Sequence, residues 1–363
     1  FAIVTVLWFA VGYSLSFGVG QPIGGYSGDE VNSVIGSLEA AFLRGVTPET
    51  AHAVAPALPE YLWIAFQMTF AIITPALVTG AFAERLKYSG LLLFTGLWTL
   101  LVYAPICHWV WGGGFLGSAG VLDFAGGAVV HVNSGVAGLV CAVFLGARKG
   151  YGVSPILAHN PVLTMIGASL LLVGWIGFNA GSAWAADAIA SVALLNTLLA
   201  AMAASLTWKI VEVIEKRKPS LIGVLSGLIA GLVAITPAAG FVDPMGAVII
   251  GLIAGPVCYA ASVWIKKLLR YDDSLDAFGI HGAGGVAGAI LTGVFASSAV
   301  NAAGADADVM KQLWGLGVTA GWSAGVTFLI LIVCKFTTGL RVSESQEDDG
   351  LDGHLHGEVL EPS

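Results

Sequence analysis

Two histidines stand inside stretches that otherwise hold little but small and branched apolar residues. His131 lies in "DFAGGAVVHVNSGVAGLV" (123–140) and His281 in "DAFGIHGAGGVAGAIL" (276–291). Aligned on the histidines, the stretches share the pattern H-x-x-x-G-V-A-G. Each also follows an acidic residue near a helix start, Asp123 in the first and Asp276 in the second. A neutral imidazole carries one N–H donor and one acceptor nitrogen. Two facing rings can therefore share one proton, hydrogen-bond a small polar molecule in apolar surroundings, and relay its proton. Burial disfavours a charged imidazole, so both rings are expected to be neutral at physiological pH.

Two other chemistries fit a pair of histidines. Each ring could simply hydrogen-bond a neighbouring helix, or the two could ligate a haem between them. The matched positions in a repeat weigh against plain packing, because an ionisable residue inside a membrane span marks function by default. The glycine-dense flanks leave room for a porphyrin, so the haem reading stays open at this point. A visible absorption spectrum separates it from the others.

The elements that position these rings are membrane spans. Charged residues make up 10% of the 363 and hydrophobic ones 57%, with a mean hydropathy of +0.87. A soluble domain carries about 25% charged residues, and this chain could not cover a water-facing surface with so few. The 49 glycines suit close helix packing in lipid. A span needs about 20 residues. Ten candidates appear, at 1–18, 61–83, 89–110, 124–146, 161–181, 188–211, 220–237, 245–265, 277–298 and 312–336. No charged region precedes the first, so it does not read as a cleavable signal peptide. The chain begins inside that apolar run, which leads us to expect a further apolar span before Phe1.

Orientation follows from the basic residues. Arg85, Lys87, Arg148, Lys149, Lys209, Lys216, Arg217, Lys218, Lys266, Lys267, Arg270, Lys335 and Arg341 fall on one side, which is 13 of the 15. Only Arg44 and Lys311 fall on the other. The even-numbered loops and the C-terminus are expected to be cytoplasmic, and the long loop 19–59 external. The first histidine stretch then enters the membrane from outside and the second from inside. Antiparallel copies of this kind are the inverted-repeat plan of many transporters, with the site near midplane between the repeats. The net charge of −8 comes largely from the external loops and the acidic tail and argues for no nucleic-acid partner. Cys107, Cys141, Cys258 and Cys334 lie far apart and read as small buried residues, with neither a metal knuckle nor a disulfide framework in their spacing.

At the histidine stretches the sequence resembles the ammonium transporter (Amt) family, the microbial and plant relatives of the Rhesus proteins. "DFAGGAVVHVNSG" is similar to the family signature almost letter for letter. The resemblance continues through "GAFAERLKYSG", "HWVWGGGFL", "GWIGFNAGSA", "LSGLIAGLVAITPAAGFV", "FGIHGAGGVAGAILTGVFA" and "GLRV…GLD…HGE". It covers essentially the whole chain, and the "DFAGG" form favours the Amt branch.

The resemblance implies an all-α polytopic fold of two inverted five-helix repeats plus a final long helix. That family plan has eleven spans. The run ending "GYSLSFG" is similar to its second, so the first is the one expected upstream. The resemblance also implies a permease and not an enzyme, with no cofactor and no metal. It implies His131 and His281 as pore histidines, Phe70 and Phe178 as the gate, and Trp111, Phe70 and Ser182 as the external recruitment site. Asp123 lies below that site, and Trp175 and Thr236 line the pore. Ammonium, or ammonia after deprotonation, is the implied substrate, with methylammonium as an analogue. The expected assembly is a homotrimer in the lipid bilayer of the cell membrane, with a PII-type signalling protein as cytoplasmic partner.

The residues support these roles in part. An aromatic face at Trp111 gives a cation–π contact of roughly 0.5–2 kcal/mol, and the Ser182 hydroxyl can accept a hydrogen bond that ammonium gives and potassium cannot. Trp111 also suits an interfacial anchor. Asp123 suits a helix cap, with an indirect pull on the cation in place of direct contact.

The chain divides into a membrane domain at 1–340 and a tail at 341–363. That acidic tail, "RVSESQEDDGLDGHLHGEVLEPS", has no apolar period and by itself reads as a disordered end. The family resemblance implies an ordered segment under the pore, affecting activity and PII binding. His354 and His356 are not expected to hold a metal, and His108 and His159 receive no role. A receptor that binds ammonium and signals is the alternative function. With only a short tail after the last span, no fused signalling domain is expected.

Overall fold

The structure is a computed structural model, and it describes residues 1–23, 25–154 and 156–358. It is all-helical, with two isolated β-bridges among the described residues, Ile23 with Tyr26 and Leu86 with Arg341. Ten apolar helices occupy the ten expected positions. They are α1 (Ala2–Phe17), α2 (Glu60–Thr79), α3 (Tyr88–Ser118), α4 (Gly127–Leu145), α5 (Pro161–Gly181), α6 (Ala188–Lys216), α7 (Leu221–Ile235), α8 (Pro244–Leu269), α9 (Ala277–Phe295) and α10 (Val309–Thr337). Eight are long and apolar enough to cross a membrane, and α1 and α7 are shorter.

Side-chain caps explain where several of these helices begin. Asn160 accepts from the amides of Val162 and Leu163 ahead of α5, with Pro161 as the first helical residue. Asp187, Ser220 and Asp243 each accept one amide hydrogen bond at the starts of α6, α7 and α8. Asp308 caps α10 through Met310 and Lys311, which starts it three residues before the expected 312. At its other end α6 runs on to Lys216, past the expected 211, where Glu212 pairs with Lys216 and accepts from Ser220.

Helix α7 is only 15 residues long, and its depth is completed by coil at 236–242, all of it buried. Irregular backbone at membrane depth needs protein partners for its polar groups. Asn196 supplies them, donating to the carbonyls of Ala239 (2.9 Å) and Val242 (2.8 Å). The amide of Phe124 donates to the Pro237 carbonyl in the same place.

The H-x-x-x-G pattern has a steric basis. Gly135 and Gly285 lie one turn beyond His131 and His281. A methyl group on Gly135 would sit 2.2 Å from the Gly282 amide nitrogen. One on Gly285 would meet Val132 at 2.9 Å and the His131 Cβ at 3.1 Å. Helices α4 and α9 therefore cross at their histidines, each glycine admitting the other helix. Both histidines also sit in π-helical turns, Gly127–Val132 and Ala277–Gly282. Such turns cluster at functional sites, and no residue pattern had announced these two.

Candidate functional site

The two rings meet. His281 Nδ1 lies 3.3 Å from His131 Nδ1, and the ring centroids are 5.3 Å apart at 23°. At that separation one nitrogen must carry the proton and the other accept, so the pair shares one hydrogen. His131 is 1% exposed, and its other nitrogen, Nε2, is buried without a partner. An unpaired ring nitrogen in an apolar interior is costly, and a small polar guest would relieve that cost. The geometry is poor for haem. Two axial imidazoles need nitrogens about 4 Å apart with the porphyrin between them, twice a typical metal–imidazole distance.

A column of rings leads to the pair. Trp111 packs edge-on against Phe70 at 5.7 Å. Phe70 and Phe178 lie 4.3 Å apart at 34°, closing the path between α2 and α5. Phe178 is 6.0 Å from His131, and Trp175 stacks on the same imidazole at 5.3 Å and 18°. The Trp175 indole donates to Thr236 Oγ1 (2.9 Å), which fixes its plane beside the histidine. The pattern α5 supplies is simple: Trp175 and Phe178 are three apart and face the same way. A cavity of about 870 Å³ reaches Phe178, Trp175, His131 and His281 from the side, between α2 and α5, and opens at the exposed face of α5 past Leu170 and Gly174. Its lining is apolar apart from the histidines and Thr69.

At the Trp111 end, Ser182 is 6% exposed and donates to the Phe178 carbonyl (2.8 Å), leaving its oxygen lone pairs free to accept. The Trp111 indole donates to the Asp123 carbonyl oxygen (2.8 Å). The Asp123 carboxylate accepts four backbone hydrogen bonds, from Gly126, Gly127, Ala128 and Val129 at 2.6–3.0 Å. Burial pushes its carboxyl up, and those four donors act against the push. Asp123 is thus the cap of α4, with its oxygens already taken up by amides.

The repeat corrects one sequence expectation. The counterpart of Asp123 is Asp273, not Asp276. Asp273 precedes His281 by eight residues, as Asp123 precedes His131, and accepts from the amides of Ala277 and Phe278. Burial raises its carboxyl against those two donors and Lys266. Asp276 instead pairs with Lys266. The sequence pattern pointed to the acid nearest the second helix, whereas equal spacing from the histidine was the better guide.

Two further residues escaped the sequence reading. Gln312, on α10, bonds both polar groups of Leu122 (2.8 and 2.7 Å) and the Ala289 carbonyl (3.2 Å). It ties the segment before Asp123 to α9, and a lone glutamine in an apolar span was the signal. His108 brings its two ring nitrogens to the carbonyls of Ser16 (2.9 Å) and Asn32 (2.6 Å), one turn before Trp111.

At the basic end the tail is ordered through residue 358, and its last five residues lie outside the described ones. A short helix, α11 (Glu344–Asp349), is capped by Ser343 in a reciprocal pair with Gln346. Glu347 accepts from the Lys149 amide (2.8 Å) and from Arg341 (2.8 Å). Arg341 also reaches the carbonyls of Leu145 and Ala147 at the end of α4. Arg148 grips Asp272 through two nitrogens, each at 2.8 Å. Burial alone would raise the Asp272 carboxyl, but Arg148 and Arg85 outweigh it and hold it below the usual carboxylate range. Asp272 adjoins Asp273, so the tail, the end of α4 and the start of α9 are bonded in series.

Comparison with known proteins follows the same lines. The Ammonium Transporter Family profile matches residues 1–360. An ammonium transporter of Bacillus subtilis (strain 168) is 47% identical over 365 residues, covering 98% of this chain and 87% of that protein. The crystal structure of Saccharomyces cerevisiae Mep2 superposes with a TM-score of 0.85 at 36% identity, over 95% of this chain and 80% of that one. A structure described as a sensor Amt protein gives 0.86 at 29% identity, over 98% and 87%. The Bacillus subtilis relative is named as an ammonium transporter, and the two solved structures share the fold over 95% and 98% of this chain. On that full-length likeness, the chain belongs to the ammonium transporter family and is a multi-pass membrane protein of ammonium transport.

Proposed function

We propose that ammonium is recruited at Trp111, Phe70 and Ser182, gives up its proton near the Phe70–Phe178 gate to the His131–His281 pair, which relays it toward the cytoplasm, and follows as ammonia along the same two rings, so that one charge crosses per ammonium. One observation carries this reading: the rings meet at 3.3 Å directly beyond the gate, walled by Trp175 and Phe178, with no carboxylate bonded to either ring among the described residues. A bare cation in such a lining would lose its hydration without an opposite charge to offset the loss. A neutral ammonia needs only a donor and an acceptor, which the paired imidazoles supply. Asp123 acts through structure, holding the start of α4 and the carbonyl that orients Trp111. Trp175 and Thr236 line the path, with the indole held flat against His131.

In this reading the Trp111 end faces outward and the basic end faces the cytoplasm, so the chain sits in the cell membrane with its tail inside. Residues 1–340 form the transport domain and 341–363 the regulatory tail. The apolar outer face of α5, with Val162, Ile166, Leu170 and Val173 exposed, suits burial between copies in a homotrimer. The tail surface suits a PII-type protein. The direct test is current in proteoliposomes: ammonium evokes it and potassium does not. Equal currents from the two cations refute the reading.

An ammonium-sensing role is the second reading, favoured by the likeness to the sensor Amt protein. A sensor binds ammonium and changes its tail contacts while carrying little or no flux, so the same proteoliposomes separate the two.

A further inference from the structure

His108 lies in the last turn of α3 before its regular winding breaks at Gly112–Gly114, one turn ahead of Trp111. The ring is fully buried. Its Nδ1 lies 2.9 Å from the Ser16 carbonyl oxygen and its Nε2 lies 2.6 Å from the Asn32 carbonyl oxygen. A carbonyl oxygen only accepts, and a neutral imidazole has a single N–H to give. A neutral ring would therefore turn a bare nitrogen toward an oxygen lone pair at hydrogen-bond distance, where the two lone pairs repel. Both contacts are satisfied together only when both nitrogens carry hydrogen, and the ring is then positively charged.

The surroundings are shaped to hold it. A methyl group on Gly112 would sit 1.9 Å from the Ser16 carbonyl oxygen and 2.6 Å from His108 Nδ1, so this glycine admits the end of α1 to the ring. Three successive carbonyls of the 19–59 loop are gripped from α3. Asn32 is held by His108, Ser33 by the Phe115 amide (2.9 Å) and Val34 by the Trp109 indole (2.6 Å). Of these three donors only His108 can carry charge, and charge-assisted hydrogen bonds are roughly twice as strong as neutral ones. The last turn of a helix also favours a cation, because its free carbonyls form the negative end of the dipole. No carboxylate lies within ion-pair distance of the ring among the described residues. Asp29 and Glu30, on the loop helix Gly28–Asn32, are exposed. The Asp123 carboxylate, beyond Trp111, is taken up by four amides.

We propose that His108 is a charged clasp and a positioning residue for the recruitment site. Held as an imidazolium, it ties the external loop and the end of α1 to α3, and so fixes the turn that presents Trp111. The positioning role rests on Trp111 as a recruitment residue, and the charge of the ring does not.

The test has two arms, both on the full chain. In the first, the histidine rings are labelled with nitrogen-15 and read by NMR in nanodiscs at about pH 7, where a free histidine is mostly neutral. The signals missing from His108→Gln belong to His108. Both of its nitrogens are expected to resonate where protonated ring nitrogens do, and one bare nitrogen overturns the proposal. Should His108→Gln fail to assemble, Trp109→Phe keeps the ring, changes the aromatic group next to it in the chain, and identifies the same signals by their shift. The second arm is methylammonium uptake. His108→Gln is expected to raise the half-saturation concentration severalfold and to leave the maximal rate near that of the wild type, because recruitment is disturbed and the pore is not. In a Trp111→Leu background the same change is expected to add little, as for residues that act through one another. A half-saturation that Trp111→Leu raises and His108→Gln leaves unchanged overturns the positioning role. If Trp111→Leu itself changes nothing, the recruitment reading fails and takes the positioning role with it, while the first arm still decides the charge.

Discussion

At the scale of single residues, the site divides into groups that face a guest and groups that hold those in place. Trp111 faces the entry and also bonds the Asp123 carbonyl. Trp111→Leu keeps apolar bulk and removes the aromatic face, so methylammonium affinity is expected to fall severalfold while assembly survives. A cation–π contact of roughly 0.5–2 kcal/mol sets that scale, and an uptake curve with unchanged half-saturation would leave Trp111 as an anchor only. The two acids are the holding groups. Asp123→Asn leaves one oxygen acceptor where four amides converge, and Asp273→Asn leaves one for two. Unsatisfied buried donors cost about 1–3 kcal/mol each. Both variants are thus expected to melt lower in detergent, Asp123→Asn by the larger margin, and equal midpoints would contradict the capping account. The histidines were legible because ionisable residues in apolar spans are rare. The second cap was misread because Asp273 and Asp276 both precede the helix, and the acid nearer to it was preferred over the one that shares the eight-residue spacing of Asp123 from His131.

At the scale of elements, helix positions followed from apolar run length and from caps that the sequence displays openly, such as Asn160-Pro161 and Asp243-Pro244. Helix ends moved where side chains beyond the apolar run took part, as at Glu212 and Lys216. The π-helical turns at both histidines were not legible, since no residue pattern marks them, and the close crossing of α4 and α9 beside them appears only in the packed fold. That crossing makes a sharp prediction. Gly135→Val places a branched side chain where the Gly282 backbone already lies at 2.2 Å, and little assembled protein is expected by size-exclusion chromatography. A monodisperse, active variant would show that the helices do not cross so closely. The tail makes another. Removing residues 343–363 deletes Glu347 and Asp348, the partners of Lys149 and Arg341. The spans are expected to stay assembled, with transport altered or PII pull-down lost. If neither changes, the ordered tail is a passive clasp.

At the scale of the whole molecule, the inverted repeat brings two residues 150 apart in sequence to one point in the membrane. The charge pattern of the loops and one short shared motif were enough to anticipate that meeting. Its distance, and the stack of Trp175 and Phe178 around it, required the packed fold. The central claim is that His131 and His281 act as one hydrogen-bonded unit, and a double-variant cycle measures it most directly. Ammonium- and potassium-evoked currents are compared in proteoliposomes for His131→Ala, His281→Ala and the double change, with each variant first shown to assemble. The account predicts that either single change lowers ammonium current at least tenfold or admits potassium. It predicts further that the double change costs clearly less than the two singles together, as for residues in direct contact. A double alanine variant that assembles and keeps both wild-type current and selectivity would contradict it.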